Sequence, residues 1–281
     1  MSAEDVVELN TALMETTFKI GGPAKPPNAG RPSLGTGFVV GKLVKTDNNR
    51  GWFVLITAEH VLDGIDGEDL TIVFRKKEPD GTYTVIQAAT PLRSGGRNLY
   101  VKHQTADVAA LYIHAPPGVN IALLDSASWL ASDADFKRFQ LHPGDELTAL
   151  GYPLAASSND WQFPILRSGK IASYPLVPMS VVKTFLFDFH VFAGNSGGPV
   201  YFVAPNSRFA TAKQIPLGGF VQSIIGLVSQ QLSSTMPGNP SLELAVIVPA
   251  QFIRETLEIL PPEPQPEINH RKAPLVVYHL P

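Results

Sequence analysis

The chain has 281 residues, 44% of them hydrophobic and 17% charged, a balance that excludes intrinsic disorder and suits one large domain or two small ones. A formal net charge of −3, with no basic run interleaved with aromatics, excludes a global field that recruits nucleic acid or an anionic membrane. Cysteine is absent, which removes disulfides, zinc–thiolate sites and cysteine nucleophiles together and leaves the redox compartment open.

Glu4, Asp5 and Glu8 stand where a secretory signal needs a basic region, and no run approaches the ~18 consecutive apolar residues of a membrane span. The expectation is a cytoplasmic protein. Residues 2–14 place Val6, Leu9 and Leu13 at helical spacing with acids opposite, which predicts a short amphipathic helix capped by Ser2. Residues 16–20 predict a first strand, and the glycine- and proline-rich stretch 21–32 a surface loop.

From residue 35 onward, short β-type runs alternate with turn residues. Residues 37–44 and 52–57 predict two strands joined across 45–51. Further strands are predicted at 70–74, at 82–88 after the turn Pro79-Asp80-Gly81, and at 108–113. Beyond Pro116-Pro117, residues 118–141 are less regular and read as a crossing between two halves. Strands resume at 146–151, 166–174, 183–189, 199–203 and 220–229. With almost no helical periodicity between them, these runs indicate an all-β sandwich or barrel arrangement. Two halves of similar strand count, residues 1–125 and 126–260, point to two barrels. Phe252, Ile253, Leu257 and Leu260 then mark the apolar face of a helix that starts at Pro249 and stops at Pro261-Pro262. Residues 261–281 read as a proline-rich tail, in which Leu275-Val276-Val277-Tyr278 is a candidate edge strand.

The stretch Gly194-Asn195-Ser196-Gly197-Gly198-Pro199 lies between the apolar runs 185–187 and 200–203 and predicts a tight turn. Glycines flanking a serine let the backbone push a hydroxyl outward while aiming successive N–H groups at one point. Acyl transfer requires that combination, a nucleophile beside an oxyanion hole. The alternative is a glycine-rich hairpin turn with an incidental serine. A serine hydroxyl needs a base, and of the seven histidines His60 stands out, in Thr57-Ala58-Glu59-His60-Val61-Leu62 just past a predicted strand. Asp107 opens the apolar strand Asp107-Val108-Ala109-Ala110-Leu111, where a carboxylate is placed to hold an imidazole tautomer.

These three segments, in the order His, Asp, Ser, resemble the signature regions of chymotrypsin-like serine peptidases. The likeness is greatest to the cysteine-free bacterial branch that includes the HtrA/Deg peptidases. Gly35-Thr36-Gly37-Phe38-Val39-Val40, Leu150-Gly151-Tyr152-Pro153 and Ile225-Gly226-Leu227-Val228-Ser229 resemble that branch too, so the likeness covers roughly residues 15–260. It implies two antiparallel six-stranded β-barrels with short terminal helices, and a serine endopeptidase acting on a polypeptide substrate through an acyl-enzyme. It further implies Ser196 as nucleophile, His60 as general base and then acid, Asp107 as its orienting carboxylate, and the N–H groups of Gly194 and Ser196 as the oxyanion hole. Ser229 matches a serine that hydrogen-bonds the aspartate.

Two departures follow from the same resemblance. Asn195 stands where trypsin-like zymogens carry an aspartate that pairs with a new amino terminus, so activation by that route is not implied. About twenty residues follow the last predicted helix, too few for the PDZ domain HtrA proteins append. The register places a specificity pocket near His190, Gln231 and Glu243. His190 at its base favours an acidic or amide side chain, Glu243 a basic one, and both as solvated loop-end residues is a third alternative. No cofactor or metal is implied, because the histidines lack His-x-x-x-His spacing. A catalytically silent peptide-binding module, and latency until a regulatory protein partner orders the Gly194 loop, remain open.

Overall fold

A computed structural model describes residues 8–44, 47–122, 124–205, 220–232, 242–262 and 264 of the chain. Helix α1 (Leu9–Thr16) leads directly into strand β1 (Thr17–Pro23). The strands β2 (Pro32–Val44), β3 (Asp47–Thr57), β4 (Asp69–Lys77) and β5 (Tyr83–Pro91) follow, with the one-turn helix α2 (Glu59–Asp63) after β3. A small hairpin of β6 (Arg93–Ser94) and β7 (Arg97–Asn98) precedes β8 (Val101–Lys102) and β9 (Ala109–Tyr112). These strands, the hairpin apart, form one seven-stranded sheet in the order β5-β4-β1-β2-β3-β9-β8. Phe38, Val39 and Val40 on β2 are all fully buried. Such a strand reads as an unbroken apolar run because both of its faces are covered, and each such side chain contributes roughly 1.5–3 kcal/mol by leaving water.

Two short helices, α3 (Ser126–Trp129) and α4 (Asp133–Arg138), occupy the crossing between the halves. Neither is long enough to show periodicity, and each is held by its cap. Asp125 accepts the N–H groups of Ala127 and Ser128, while Ser132 and Asp135 form a reciprocal capping box. The strands β10 (Glu146–Gly151), β11 (Ile165–Ile171), β12 (Phe185–Asp188), β13 (Pro199–Pro205), β14 (Phe220–Gln231) and β15 (Leu244–Pro249) close into a barrel in the order β10-β11-β12-β15-β14-β13. Closure leaves no strand edge unpaired. Helix α5 (Ala250–Glu258) starts after Pro249 and packs on both β9 and β14, so it bridges the two halves. Lys42 on β2 donates to the carbonyls of Leu257 and Leu260 at 2.9 and 3.2 Å, a cation at the C-terminal end of α5.

The fold is mostly β, as expected, with differences in detail. In the first half the seven-stranded sheet replaces a closed six-stranded barrel, because β5 and β8 do not pair with one another. Between them the chain turns aside into the β6–β7 hairpin, whose backbone groups bond to each other (Arg93 opposite Asn98), while the flanking Leu92 and Leu99 are buried in the core. Helix α1 begins at Leu9 with Glu8 as its cap, the carboxylate accepting from the N–H groups of Asn10 and Thr11. Ser2 and Val6 lie outside the described residues, as do residues 275–278. Strand β1 extends to Pro23, pairing with Pro32, which shortens the expected surface loop to residues 24–31. Strand β3 begins at Asp47, inside the expected connection. No helix is long and apolar enough to cross a membrane among the described residues.

Candidate active site

The turn after β12 is shaped by two glycines in the left-handed region, Gly194 at φ +97° and Gly197 at φ +86°. Space requires glycine as strongly as conformation does. A Cβ on Gly194 would sit 2.2 Å from the Tyr152 carbonyl oxygen, and one on Gly197 would sit 2.1 Å from both the Thr36 carbonyl oxygen and Thr57 Oγ1. The turn is tied to both sets of strands: the Ser196 carbonyl accepts the N–H of Thr36 on β2 at 2.9 Å, and the Gly197 N–H donates to the carbonyl of Val228 on β14 at 2.7 Å. Thr57 and Ala58 lie just before His60, so the start of helix α2, which bears the ring, and the serine turn are neighbours.

Strand pairing brings His60 to Asp107. Thr57 at the end of β3 lies opposite Ala109 on β9, so the residues just past the one and just before the other meet. His60 Nδ1 is 2.8 Å from Asp107 Oδ2, and the His60 backbone N–H donates to Oδ1 at 3.0 Å. A carboxylate gripping ring and backbone together fixes the imidazole's orientation and makes Nδ1 the protonated nitrogen. The ring is half exposed, at 51%, while the Asp107 side chain is 26% exposed. Burial by itself pushes the Asp107 carboxyl up, but the hydrogen bond and charge of His60, the Ser229 hydroxyl and the His60 N–H together outweigh it and hold the group below the usual carboxylate range.

Ser229 joins this pair to Ser196. Its hydroxyl donates to Asp107 Oδ2 at 2.5 Å, and its carbonyl accepts the Ser196 hydroxyl at 2.8 Å. The residue lies where the β14–β15 register slips, between Val228 and Gln230, and a bulge of this kind re-aims a side chain that regular alternation would point elsewhere. The Ser196 hydroxyl is therefore engaged by Ser229, and His60 Nε2 has no hydrogen-bond partner among the described residues.

The peptide groups around Gly194 are pinned on each side. The Ala193 carbonyl accepts the Leu154 N–H at 2.7 Å, the Gly194 carbonyl accepts the Thr36 hydroxyl at 2.6 Å, and the Asn195 N–H donates to the Phe192 carbonyl at 3.0 Å. In a trans peptide the N–H points opposite to the carbonyl, so the Gly194 N–H faces away from Leu154. The N–H groups of Gly194 and Ser196 have no acceptor among the described residues.

Residues 35–203, more than half of the chain, match the trypsin-like peptidase domain family. The chain belongs to this family. Solved structures similar to it include a thermostable serine protease, AL20, from an extremophilic microorganism, at TM-score 0.48 and 12% identity over 87% of this chain and 96% of that one. Another is the protease Anisep from Arthrobacter nicotinovorans, at TM-score 0.49 and 15% identity over 86% of this chain and 93% of that one. No curated protein matches. The assignment rests on the family match.

In this trypsin-like peptidase domain, His190 and Glu243 come together: Nδ1 of the one is 3.1 Å from Oε1 of the other. His190 also packs on Phe192, with ring centroids 4.3 Å apart, and its carbonyl accepts from Arg167 at 2.7 Å. The two side chains thus partner one another, which neither single-residue alternative anticipated. Gln231 donates to the Leu242 carbonyl at 3.2 Å on the neighbouring segment. Among the described residues, no group of three or more His, Cys, Asp or Glu side chains is placed to hold a metal ion.

Several residues that shape the candidate site carried no signal as chemistry. Thr36 and Tyr152 fall within segments that resemble the family, yet Thr36 acts by donating its hydroxyl to the Gly194 carbonyl and Tyr152 by donating its N–H to that hydroxyl. Leu154 gave no signal at all, because it acts through its backbone N–H. Arg75 lies one residue past the apolar run 70–74, and nothing in that position marks a role.

Proposed function

We propose that the chain is a serine endopeptidase, hydrolysing peptide bonds at a crevice between residues 1–125, which supply His60 and Asp107, and residues 126–260, which supply Ser196 and Ser229. Ser196 Oγ attacks the scissile carbonyl carbon as His60 Nε2 takes its proton. Asp107 holds the Nδ1–H and stabilises the imidazolium. The N–H groups of Gly194 and Ser196 receive the oxyanion. His60 then delivers its proton to the departing amine, and a water molecule repeats the sequence to release the acid. Because the Ser196 hydroxyl is turned toward the Ser229 carbonyl, the attack requires it to rotate about Cα–Cβ to another staggered well.

The observation that carries this reading is the double engagement of Ser229, hydroxyl on Asp107 and carbonyl on Ser196, which links hydroxyl, carboxylate and imidazole by consecutive hydrogen bonds. The test is reaction with a fluorophosphonate and hydrolysis of denatured casein, with Ser196→Ala as control. Labelling and turnover that vanish in Ser196→Ala support the reading, and turnover undiminished in that variant removes Ser196 from the mechanism.

A second reading, a silent peptide-binding module in the protease fold, is favoured by the Ser196 hydroxyl being bonded to Ser229 and not to His60. It requires that the fluorophosphonate leave the folded protein unlabelled.

A further inference from the structure

The orientation of the Gly194 N–H depends on the Ala193 carbonyl being held by Leu154, so what holds Leu154 becomes a question about the reaction itself. Leu154 sits at φ +52° and ψ +34°, and Ala155 follows at φ +64°. Side chains bearing a Cβ disfavour this region, and two such residues in a row persist only where their surroundings over-determine them. Gln162, at φ +61°, is a third in the same segment.

The surroundings are two cations from the first sheet. Lys19 on β1 donates from Nζ to the Ala155 carbonyl at 2.8 Å and to Gln162 Oε1 at 2.6 Å. Arg75 on β4, only 4% exposed, donates from Nη1 to the Tyr152 hydroxyl at 3.1 Å and to the Gln162 carbonyl at 2.9 Å. Its Nη2 spans the Met14, Glu15 and Thr17 carbonyls at the C-terminal end of α1, where a cation is favoured, and its guanidinium lies between the Phe18 and Phe163 rings at 4.8 and 4.5 Å. Only a planar fork with five donors satisfies acceptors on three segments at once. The Tyr152 carbonyl in turn abuts Gly194, and the Tyr152 N–H shares Thr36 Oγ1 with the Gly194 carbonyl.

We propose that Lys19 and Arg75 are positioning residues that clamp the segment from Tyr152 to Gln162, hold Leu154 against Ala193, and so preset the oxyanion hole without a new amino terminus or a partner protein. The inference rests on the proposed peptidase reading and names what keeps that site competent. Neither residue touches the reacting atoms.

The test compares wild type, Lys19→Met, Arg75→Lys and Arg75→Met in the full chain. The readouts are hydrolysis of p-nitrophenyl acetate, reaction with a fluorophosphonate, and amide hydrogen exchange at Leu154. Lys19→Met is the informative variant, since Arg75→Met opens the core and threatens folding. Lys19→Met is expected to stay folded, to lose about tenfold in kcat with KM nearly unchanged, and to exchange the Leu154 amide faster. Arg75→Lys keeps the charge without the fork and is expected to fall between wild type and Arg75→Met. Wild-type kcat in folded Lys19→Met and Arg75→Lys, with Leu154 exchange unchanged, overturns the clamp. A wild-type protein inert to both reagents sinks the peptidase reading alone. The clamp is then decided by exchange: faster at Leu154 in Lys19→Met sustains it, and unchanged exchange overturns it.

Discussion

Ser229 and His60 donate to the same oxygen of Asp107: Ser229 Oγ and His60 Nδ1 reach Oδ2 at 2.5 and 2.8 Å, and the His60 N–H takes the other oxygen at 3.0 Å. A carboxylate bound by three donors has little freedom to rotate, so the imidazole it orients is held as well.

Replacing Ser229 by alanine removes one of those donors while leaving the Ser229 carbonyl that engages Ser196. The Asp107 carboxyl is expected to titrate higher and the imidazole to loosen. Proton transfer by a positioned base is worth roughly 10²–10⁴ in rate, and Ser229→Ala is expected to forfeit about tenfold of it in kcat. A pH–rate profile for both proteins checks this, and an unaltered kcat counts against the role.

The lowered Asp107 pKa also sets a stability window. The folded protein binds this proton less readily than the unfolded chain, whose aspartate has a pKa of about 3.9. The stabilisation is therefore fully present above that value and is lost as pH falls through the folded pKa beneath it. Wild type is expected to be more stable than Asp107→Asn at neutral pH, with the gap narrowing below about pH 4. Thermal unfolding of the pair across that range measures it.

Gly194 has no room for a side chain. Gly194→Ala would drive Cβ to 2.2 Å from the Tyr152 carbonyl oxygen while asking alanine to hold φ +97°. A cost of about 2–4 kcal/mol is expected, read as a lower denaturation midpoint. Fluorophosphonate labelling is expected to fall even where the fold survives, because the turn must shift away from Tyr152.

The pair of His190 and Glu243 is expected to matter for selectivity more than for stability. Glu243 is 74% exposed, and an ion pair so solvated contributes at most about 1 kcal/mol. Glu243→Gln leaves His190 without its carboxylate. If these residues line the specificity pocket, peptide-library cleavage should move toward acidic side chains, since the carboxylate that occupies the imidazole is gone. An unchanged library profile places the pair outside the pocket.

Much of the fold was legible before any coordinates. Strand alternation, Pro249 at the start of the last helix and the glycines around Ser196 are consequences of local chemistry: which face of a strand is apolar, where an N–H is missing, where a Cβ does not fit. His60 and Asp107 drew notice as candidates because each stands at the end of a predicted strand, where loops carry function, whereas Ser229 drew notice only through the family resemblance. The one-turn helices α3 and α4 were not, because a pattern needs more than one turn to show a period.

The sequence by itself determined the β-type elements and the residue types able to do the chemistry, because those depend on neighbours a few positions away. Only the tertiary structure decided how they combine. The second set of strands closes into a barrel while the first stays open at the β6–β7 hairpin, and Ser196 turns to the Ser229 carbonyl. His190 meets Glu243, and Arg75 gathers carbonyls from α1 and the segment after Tyr152. Those outcomes depend on register slips, bulges and backbone groups, and every residue carries the same N–H and C=O whatever its side chain, so no pattern of letters announces which will be used.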